Sequence, residues 1–180
     1  MDNQESLFQK PGFKKLLFFG FIFDFVLIDQ LVKWLIRVNF KPGESPGFPW
    51  PGVFEITLSY NQGIAWGMFQ GSGVIFVPVA LGITFYSIYY LFKNPQKSAY
   101  FHITLGLLSA GAIGNMIDRL FMGKVTDMFW FRLISFPVFN IADACITVAG
   151  FMLVIYTIFL EKSHSETIVD HKKSESSNES

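Results

Sequence analysis

The stretch FNIADACITVAGFMLVIYTIFL, residues 139–160, is an apolar run with a single carboxylate, Asp143, near its start. A helix of roughly 20 apolar residues is long enough to cross a bilayer. Because a backbone that faces lipid must satisfy its own hydrogen bonds, such a run is expected to be helical. The stretch therefore predicts a membrane-spanning helix. A carboxylate in such a helix is costly, and it is retained where it forms a pair, lines a cavity or takes part in chemistry.

Three further stretches are long and apolar enough to cross a membrane, at residues 16–36, 74–92 and 100–117. The start of the first, KKLLFFGFIF, resembles a signal peptide. No small-residue cleavage site follows, however, and Asp24 interrupts the apolar run, so we expect a retained first helix. The sequence thus predicts an α-helical integral membrane protein, with four transmembrane helices in one domain over residues 16–160.

The composition agrees with a membrane protein. Hydrophobic residues make up 51% of the 180 residues and charged residues 16%, whereas soluble domains usually carry about 25% charged residues. Lys and Arg together number 14, as do Asp and Glu, so there is no net charge to attract a nucleic acid. One Cys and three His are too few and too scattered for a disulfide or a zinc site. We therefore expect neither a nucleic-acid partner nor a bound metal or other cofactor.

The basic residues predict the orientation of the four spans. An even number of spans places both termini on one side. The basic residues on that side are Lys10, Lys14, Lys15, Lys93, Lys97, Lys162, Lys172 and Lys173, against Arg37, Lys41, Arg119, Lys124 and Arg132 on the other. Because basic residues concentrate on the cytoplasmic side, we expect cytoplasmic termini. Residues 1–15 then form a cytoplasmic segment, and the polar residues 161–180 a disordered cytoplasmic tail.

The loop at about residues 38–73 is expected to be folded. Four prolines in residues 42–51 exclude a helix there. The segment VFEITLSY, residues 53–60, then alternates apolar and polar side chains with the period of a half-buried strand. We expect a small β-sheet subdomain on the outer face of the membrane, with Phe48 and Trp50 as interfacial anchors.

This topology collects the unusual polar residues at one depth, near the outer leaflet. The candidates are Asp29, Asn61, Asn115, Asp118, Arg119, Asp127, Asn140 and Asp143. Ordinary structural roles are available for several of them. Asp29 and Lys33 are four residues apart and can pair within one helix, while Asp118 and Arg119 can form an interfacial ion pair. Asp127 can be an ordinary loop carboxylate.

Asp127 and Asp143 are the pair with the clearest chemical use. Two carboxylates in a low dielectric can share one proton, because burial and like charge raise the pKa of one of them. The ionised carboxylate can then activate a water while the protonated one polarises a carbonyl. A cysteine nucleophile is disfavoured, since Cys145 lacks a nearby base: His164 is expected in the cytoplasmic tail. Cys145 is expected to be a packing residue.

Five motifs occur in order among the four spans. They are DQLVKWLI at residues 29–36, NQGIAWGMF at 61–69, GAIGNMIDRL at 111–120, GKVTDMF at 123–129 and FNIADACI at 139–146. Together they closely resemble the motifs of the bacterial lipoprotein signal peptidase family, also called signal peptidase II. The combination is highly specific, although each motif alone is loose.

The resemblance implies an aspartyl endopeptidase of the bacterial inner membrane. Such an enzyme removes the signal peptide of diacylglyceryl-modified prolipoproteins, immediately before the modified cysteine. By resemblance, Asp127 and Asp143 are the catalytic pair. Supporting or substrate-binding roles are implied for Asp29, Asn61, Asn115, Asp118, Arg119 and Asn140. The implied partners are prolipoprotein substrates, membrane lipids and globomycin-type inhibitors, and we expect a monomer.

Two other classes of protein are compatible with the residues alone. A small proton-coupled transporter could use Asp24, Asp29 and Asp143 as a relay, but a relay would spread carboxylates through the whole membrane thickness. A non-enzymatic scaffold could use its Asp residues only to hold helices together. It would tolerate amide substitutions at Asp127 or Asp143 with little loss of function.

Overall fold

A computed structural model describes residues 7–63, 73–134 and 136–160. The α-helices in these ranges are α1 (Pro11–Asn39), α2 (Phe76–Lys93), α3 (Ala99–Met122) and α4 (Ile141–Ile155), and a π-helical turn, Tyr156–Leu160, continues α4. The strands are β1 (Pro49–Trp50), β2 (Phe54–Asn61) and β3 (Val125–Phe131), and short 3₁₀ turns lie at Leu7–Gln9 and Gly73–Ile75. The predicted Ser-rich tail lies outside the described residues.

The four predicted helices are all present. By length and composition, Phe76–Lys93, Ala99–Met122 and Ile141–Phe159 can each cross a membrane. Helix α1 is longer, at 29 residues, but carries more charged residues along its length. It also begins earlier than the predicted span, because Pro11 is well suited to a first helical turn. The prediction of a four-helix membrane protein is confirmed.

Helix α3 lies at the centre and packs against α1, α2 and α4. Small residues allow the close approach of neighbouring helices. A Cβ on Gly106 would lie 3.0 Å from the carbonyl oxygen of Phe18 on α1. A Cβ on Gly111 would overlap the carbonyl oxygen of Ala142 on α4. Over the described residues, α2 and α4 both pack on α3 but make no extensive contact with each other.

The sheet has the order β1-β2-β3 and is antiparallel throughout. It packs against the C-terminal end of α1, where Ile36, Leu58 and Met128 form a buried apolar cluster. We call this end of the bundle the sheet end. Strand β3 follows α3 after Gly123, whose φ of 68° ends the helix in the left-handed conformation that glycine favours.

Two features of the sheet differ from the sequence prediction. Its third strand comes from the segment after α3, so Asp127 lies on a paired strand and not in an irregular loop. The polar side of β2 is also covered, since Glu55 is 6% exposed and Thr57 is 3% exposed. The preceding turn-rich segment accounts for this burial, because Thr57 Oγ1 donates to the carbonyl oxygen of Glu44 at 2.7 Å. Phe48 and Trp50 remain largely exposed, as expected of interfacial anchors.

Candidate active site

Helix α4 begins at the sheet end with a capping box made by Asn140 and Asp143. The Asn140 Oδ1 atom accepts the Asp143 N–H at 2.9 Å, and Asp143 Oδ2 accepts the Asn140 N–H at 3.2 Å. Such a box satisfies two backbone donors that the first helical turn would otherwise leave unpaired. It also holds the Asp143 carboxylate at the helix N-terminus, where the helix dipole favours a negative charge.

Asp127 reaches the same place from strand β3. Its side chain is buried, with 2% exposed, and its Oδ1 atom accepts a hydrogen bond from Asn140 Nδ2 at 2.6 Å. The antiparallel register pairs Asn61 of β2 with Val125. This pairing brings the Asn61 side chain close enough to hydrogen-bond Asp127. The carboxyl group therefore has two amide partners, one from the helix start and one from the neighbouring strand.

Asn115, on helix α3, connects the two carboxyl groups. Its Nδ2 atom donates to Asp143 Oδ1 at 2.7 Å, and its Oδ1 atom accepts from Asn140 Nδ2 at 3.1 Å. The Asn140 amide thus lies between Asn115 and Asp127. Asp127 on strand β3 and Asp143 on helix α4 are thus joined through two side-chain amides.

The environment of Asp127 favours its protonated form. Burial, together with the nearby charge of Asp143, raises the pKa of this carboxyl group from 3.8 to about 7. The hydrogen bonds from Asn140 and Asn61 and the positive charge of Lys33 act in the opposite direction. A group with this pKa exchanges its proton near neutral pH, as an acid–base catalyst must.

Arg119 lies beside the acids and contacts the loop that leaves β2. Its Nη2 atom donates to the carbonyl oxygen of Gly63 at 3.2 Å, and Nη1 to that of Asn115 at 3.5 Å. The guanidinium group stacks on the ring of Phe76, with 5.4 Å to its centre. Its Nε atom is buried without a partner among the described residues. The glycine-rich continuation of the motif at residues 64–69 lies outside the described residues.

Asp29 and Asp118 form a second layer behind the pair. The predicted pairing of Asp29 with Lys33 is present at 2.8 Å, and Asp29 Oδ1 also accepts the N–H of Ala142 in the first turn of α4, at 2.9 Å. Asp118 Oδ2 accepts the N–H of Thr126 at 2.8 Å, directly before Asp127. Each second-layer acid therefore fixes the backbone next to one acid of the pair.

The ordinary alternative for Asp118, an ion pair with its neighbour Arg119, is not observed. Its ion pairs are with Lys33 at 3.5 Å and Arg37 at 3.7 Å. The reason is that adjacent residues on a helix point in different directions, so Asp118 faces α1 while Arg119 faces the loop after β2. The eight residues singled out in the sequence thus lie in one connected polar group at the sheet end.

Three residues of helix α1 that sequence reasoning did not assign to the site belong to this group. Gln30 Nε2 donates to Asp118 Oδ1 at 3.3 Å, and Arg37 Nη1 donates to Thr126 Oγ1 at 3.1 Å. Lys33 contacts Asn115 at 3.0 Å. One signal was available in the sequence: Asp29, Lys33 and Arg37 follow each other at intervals of four, which places them on one helix face.

The other candidate chemistries have no support at this site. Cys145 is buried in an apolar cluster with Leu107 and Ala149. His102 lies near the opposite end of α3, where its Nδ1 atom is 2.8 Å from the carbonyl oxygen of Ser98. In the part of the chain that the structure describes, no group of three or more His, Cys, Asp or Glu side chains could hold a metal ion.

The chain is similar to known proteins over most of its length. Residues 21–159 match the family model for signal peptidase (SPase) II. Over 137 residues the chain is 39% identical to the lipoprotein signal peptidase of Lactobacillus johnsonii, which covers 76% of this chain and 88% of that protein. Over 154 residues it is 40% identical to the lipoprotein signal peptidase of Bacillus pumilus, which covers 83% of this chain and 98% of that protein.

The fold has a counterpart among solved structures. A bacterial membrane enzyme whose structure was determined by the in meso method matches with a TM-score of 0.74 at 30% identity, covering 82% of this chain and 90% of that one. The match to the family model spans more than half of the chain, and the relatives cover more than two thirds of it. This chain therefore belongs to the lipoprotein signal peptidase family, the signal peptidase II family of aspartic peptidases in bacterial membranes.

Proposed function

We propose that this chain cleaves diacylglyceryl-modified prolipoproteins immediately before the modified cysteine, with Asp127 and Asp143 as the catalytic pair. The observation that carries the proposal is the convergence of these two acids on one side chain, Asn140, which donates to Asp127 and caps the helix that carries Asp143. A purely structural Asp143 would need only the cap. The additional link to a buried acid on a separate strand supports a catalytic pair.

The charges around the site favour one proton on the pair. The polar group contains four carboxylates and three cations, namely Asp29, Asp118, Asp127 and Asp143 with Lys33, Arg37 and Arg119. The group is electrically neutral when one of the four acids is protonated. Neutrality is strongly favoured where charges are removed from water. Asp127 is the acid best placed to hold that proton, because its pKa is raised to about 7.

The proposed reaction follows from these protonation states. Ionised Asp143, which accepts hydrogen bonds from Asn115 and from the helix start, removes a proton from a water as its oxygen bonds to the scissile carbonyl carbon. Protonated Asp127 donates to the carbonyl oxygen. When the C–N bond breaks, the departing amine takes the proton from Asp143, and Asp127 regains its own from the intermediate hydroxyl. The pair returns to its starting state without a covalent intermediate.

The position of the acids suits a substrate held by lipid. We propose that the sheet end faces the outer leaflet and that both termini are cytoplasmic, so residues 1–15 and 161–180 flank a membrane peptidase domain at 16–160. A diacylated cysteine remains in the outer leaflet, which delivers its scissile amide to the depth of the pair. The lack of extensive packing between α2 and α4, over the residues described for both helices, supports lateral entry of the signal peptide between them.

One chain supplies the complete catalytic group. The two amides that join Asp127 and Asp143 belong to the same chain as the acids, and we propose a monomer as the functional unit. The partners we propose are lipid-modified prolipoproteins, membrane lipids and globomycin-type inhibitors that occupy the acid pair. The reaction as written uses only water and side chains of this chain, and so it requires no cofactor.

The transporter alternative is disfavoured by the position of Asp24. A proton relay needs carboxylates within reach of one another across the membrane. Asp24 is exposed on the outward side of α1, whereas Asp29 is buried against α3 and α4. Among the described residues nothing pairs with Asp24. The carboxylates are therefore concentrated at one end of the bundle, as a peptidase requires.

The test is cleavage of a purified diacylglyceryl-modified prolipoprotein by the wild type, Asp127→Asn and Asp143→Asn in lipid, with folding verified for each. We expect each variant to lose about 10²- to 10⁴-fold in kcat, because a proton-transfer group is removed. Asp24→Asn is the matched control, since it removes a carboxylate outside the cluster, and it should cleave normally. The same prolipoprotein with an unmodified cysteine should be cut poorly.

The outcomes separate the three classes of protein. Near wild-type turnover by folded Asp127→Asn or Asp143→Asn would remove that acid from the catalytic pair. A wild type that cuts no prolipoprotein would reject the peptidase, and loss of proton transport in Asp24→Asn would then favour the relay.

A further inference from the structure

Lys33 has more contacts than an ordinary buried ion pair requires. Its side chain is 0% exposed, and its Nζ atom lies 2.8 Å from Asp29 Oδ2 and 3.5 Å from Asp118 Oδ2. A buried ammonium is tolerated only when it is paired, and these two acids already satisfy that need. The third contact, a hydrogen bond of 3.0 Å to Asn115 Oδ1, links Lys33 to the amide that holds Asp143.

This contact determines which way the Asn115 amide faces. An ammonium group has only donors, so it must meet the oxygen of the amide. Asn140 Nδ2 donates to the same oxygen. The Asn115 NH₂ is therefore directed at Asp143 Oδ1, where it donates at 2.7 Å. In the reversed orientation, three donors would face one another and the amide oxygen would face a carboxylate.

We propose that Lys33 is a positioning residue for the catalytic pair, acting through Asn115 to hold the Asp143 carboxylate in place. The proposal rests on the peptidase function proposed above and extends it to helix α1. Hydrogen bonds from a charged donor are stronger than neutral ones, so Lys33 also polarises the amide that contacts Asp143. The side chain reaches no reacting atom itself.

Lys33 also contributes to the electrostatics of the pair, together with other groups from each surrounding element. The charged or titratable groups that face the pair are Asp29, Lys33 and Arg37 on α1, Asp118 and Arg119 on α3, Asp127 on β3, and Asp143 and Cys145 on α4. Strand β2 contributes the uncharged Asn61. The Lys33 charge lowers the pKa of Asp127, so its removal should move that titration to higher pH.

The experiment must separate positioning from simple loss of an ion pair. Lys33→Met leaves Asp29 buried without its cation, so it is expected to be less stable. The double variant Asp29→Asn/Lys33→Met removes both charges, and the new amide at position 29 retains an oxygen for the Ala142 N–H, so stability should recover. Arg37→Gln is the matched control, because it removes another α1 cation paired with Asp118 that has no contact with Asn115.

We expect the double variant to fold and bind substrate with KM changed by less than about twofold, while kcat falls by about a hundredfold, as misplacement of a reacting group by a remote mutation can cause. Compared with Asp29→Asn, which lacks the same carboxylate, the alkaline limb of its pH–rate profile should lie at higher pH. Arg37→Gln should lose much less kcat. If the double variant regains wild-type kcat with an unchanged profile, Lys33 serves only to pair Asp29 and the proposal is wrong.

A second measurement is independent of cleavage. Infrared titration of the carboxyl bands, with Asp127→Asn used for assignment, reports the ionisation of Asp127 directly. We expect its midpoint to lie at higher pH in the double variant than in Asp29→Asn, because only the Lys33 charge differs between these two, and to change less in Arg37→Gln. A midpoint equal to that of Asp29→Asn would contradict the coupling, whether or not the wild type cleaves a prolipoprotein. Failure of the wild type to cleave would instead count against the proposed function.

Discussion

The Nδ2 atom of Asn140 lies 2.6 Å from Oδ1 of Asp127, while the Oδ1 atom of the same Asn140 side chain caps helix α4. One side chain thus joins strand β3 to the start of a membrane helix. The N–H that this cap accepts belongs to Asp143. The spacing of Asp127 and Asp143 is therefore set by a strand and a helix, and a preorganised site requires such rigid supports.

Substitution of Asn140 should separate its two roles. Asn140→Ser keeps a side-chain oxygen for the helix cap but is too short to donate to both Asp127 and Asn115. Asn140→Ala loses the cap as well, which costs about 0.5–2 kcal/mol. We expect similar losses of kcat in both variants but a lower melting temperature only for Asn140→Ala. Equal melting temperatures would show that the cap contributes little to stability.

The stability of the protein should depend on the ionisation of Asp127. The pKa of this group is 3.8 in the unfolded reference and about 7 in the folded state. Between these values the folded state binds a proton that the unfolded state does not, so the stability contributed by this group falls as pH rises from about 4 to 7. Asp127→Asn cannot titrate there. Thermal unfolding should therefore show this variant to be more stable than the wild type at pH 8, with a smaller difference at pH 5.

The segment before β2, which Glu55 holds through Ser45 and the Gly52 N–H, should become less protected from hydrogen exchange in acid. Hydrogen bonds from Ser45 and from the Gly52 N–H, together with Arg132, lower the pKa of Glu55. A lowered carboxyl pKa stabilises the fold above the unfolded value of 4.5, and this contribution is lost as pH falls through the folded value. Glu55→Gln should reproduce the loosening at neutral pH, seen as faster hydrogen exchange of the Gly52 amide. Glu44→Gln, at an exposed position, is the control.

The contact between α3 and α4 should be sensitive to one methyl group. A Cβ at Gly111 would overlap the Ala142 carbonyl oxygen and lie 2.6 Å from Ile146 Cγ1. Gly111→Ala should therefore force the helices apart and cost about 1–3 kcal/mol, the usual range for overpacking. It should also lower activity, since α4 carries Asp143. Gly150→Ala is the control, because no neighbouring atom lies within 4 Å of its Cβ position. Equal stability of the two variants would contradict this packing.

The helices could be predicted from the sequence, and so could the grouping of the candidate polar residues at one end of the bundle, because both depend on local patterns. Apolar runs mark the spans, and the three-residue interval between Asn140 and Asp143 places them on one helical turn. Strand β3 could not be predicted, since VTDMFWF shows no clear alternation and its partner strand lies before two intervening helices. The contact of Lys33 with Asn115 could not be predicted for a similar reason. The pairing of Lys33 with Asp29 within the helix already accounted for its presence in the sequence. Asn115, its other partner, is 82 residues away.

The capping box of α4 has a consequence for drug resistance. The side chains that an inhibitor of the acid pair would contact are the same ones that begin the helix, since Asn140 and Asp143 each satisfy a backbone N–H of the other. A substitution that weakened the inhibitor at either position would also disturb the box or the proposed chemistry. Resistant forms that remain active are therefore expected to carry their changes around the approach to the site, and not in the box itself.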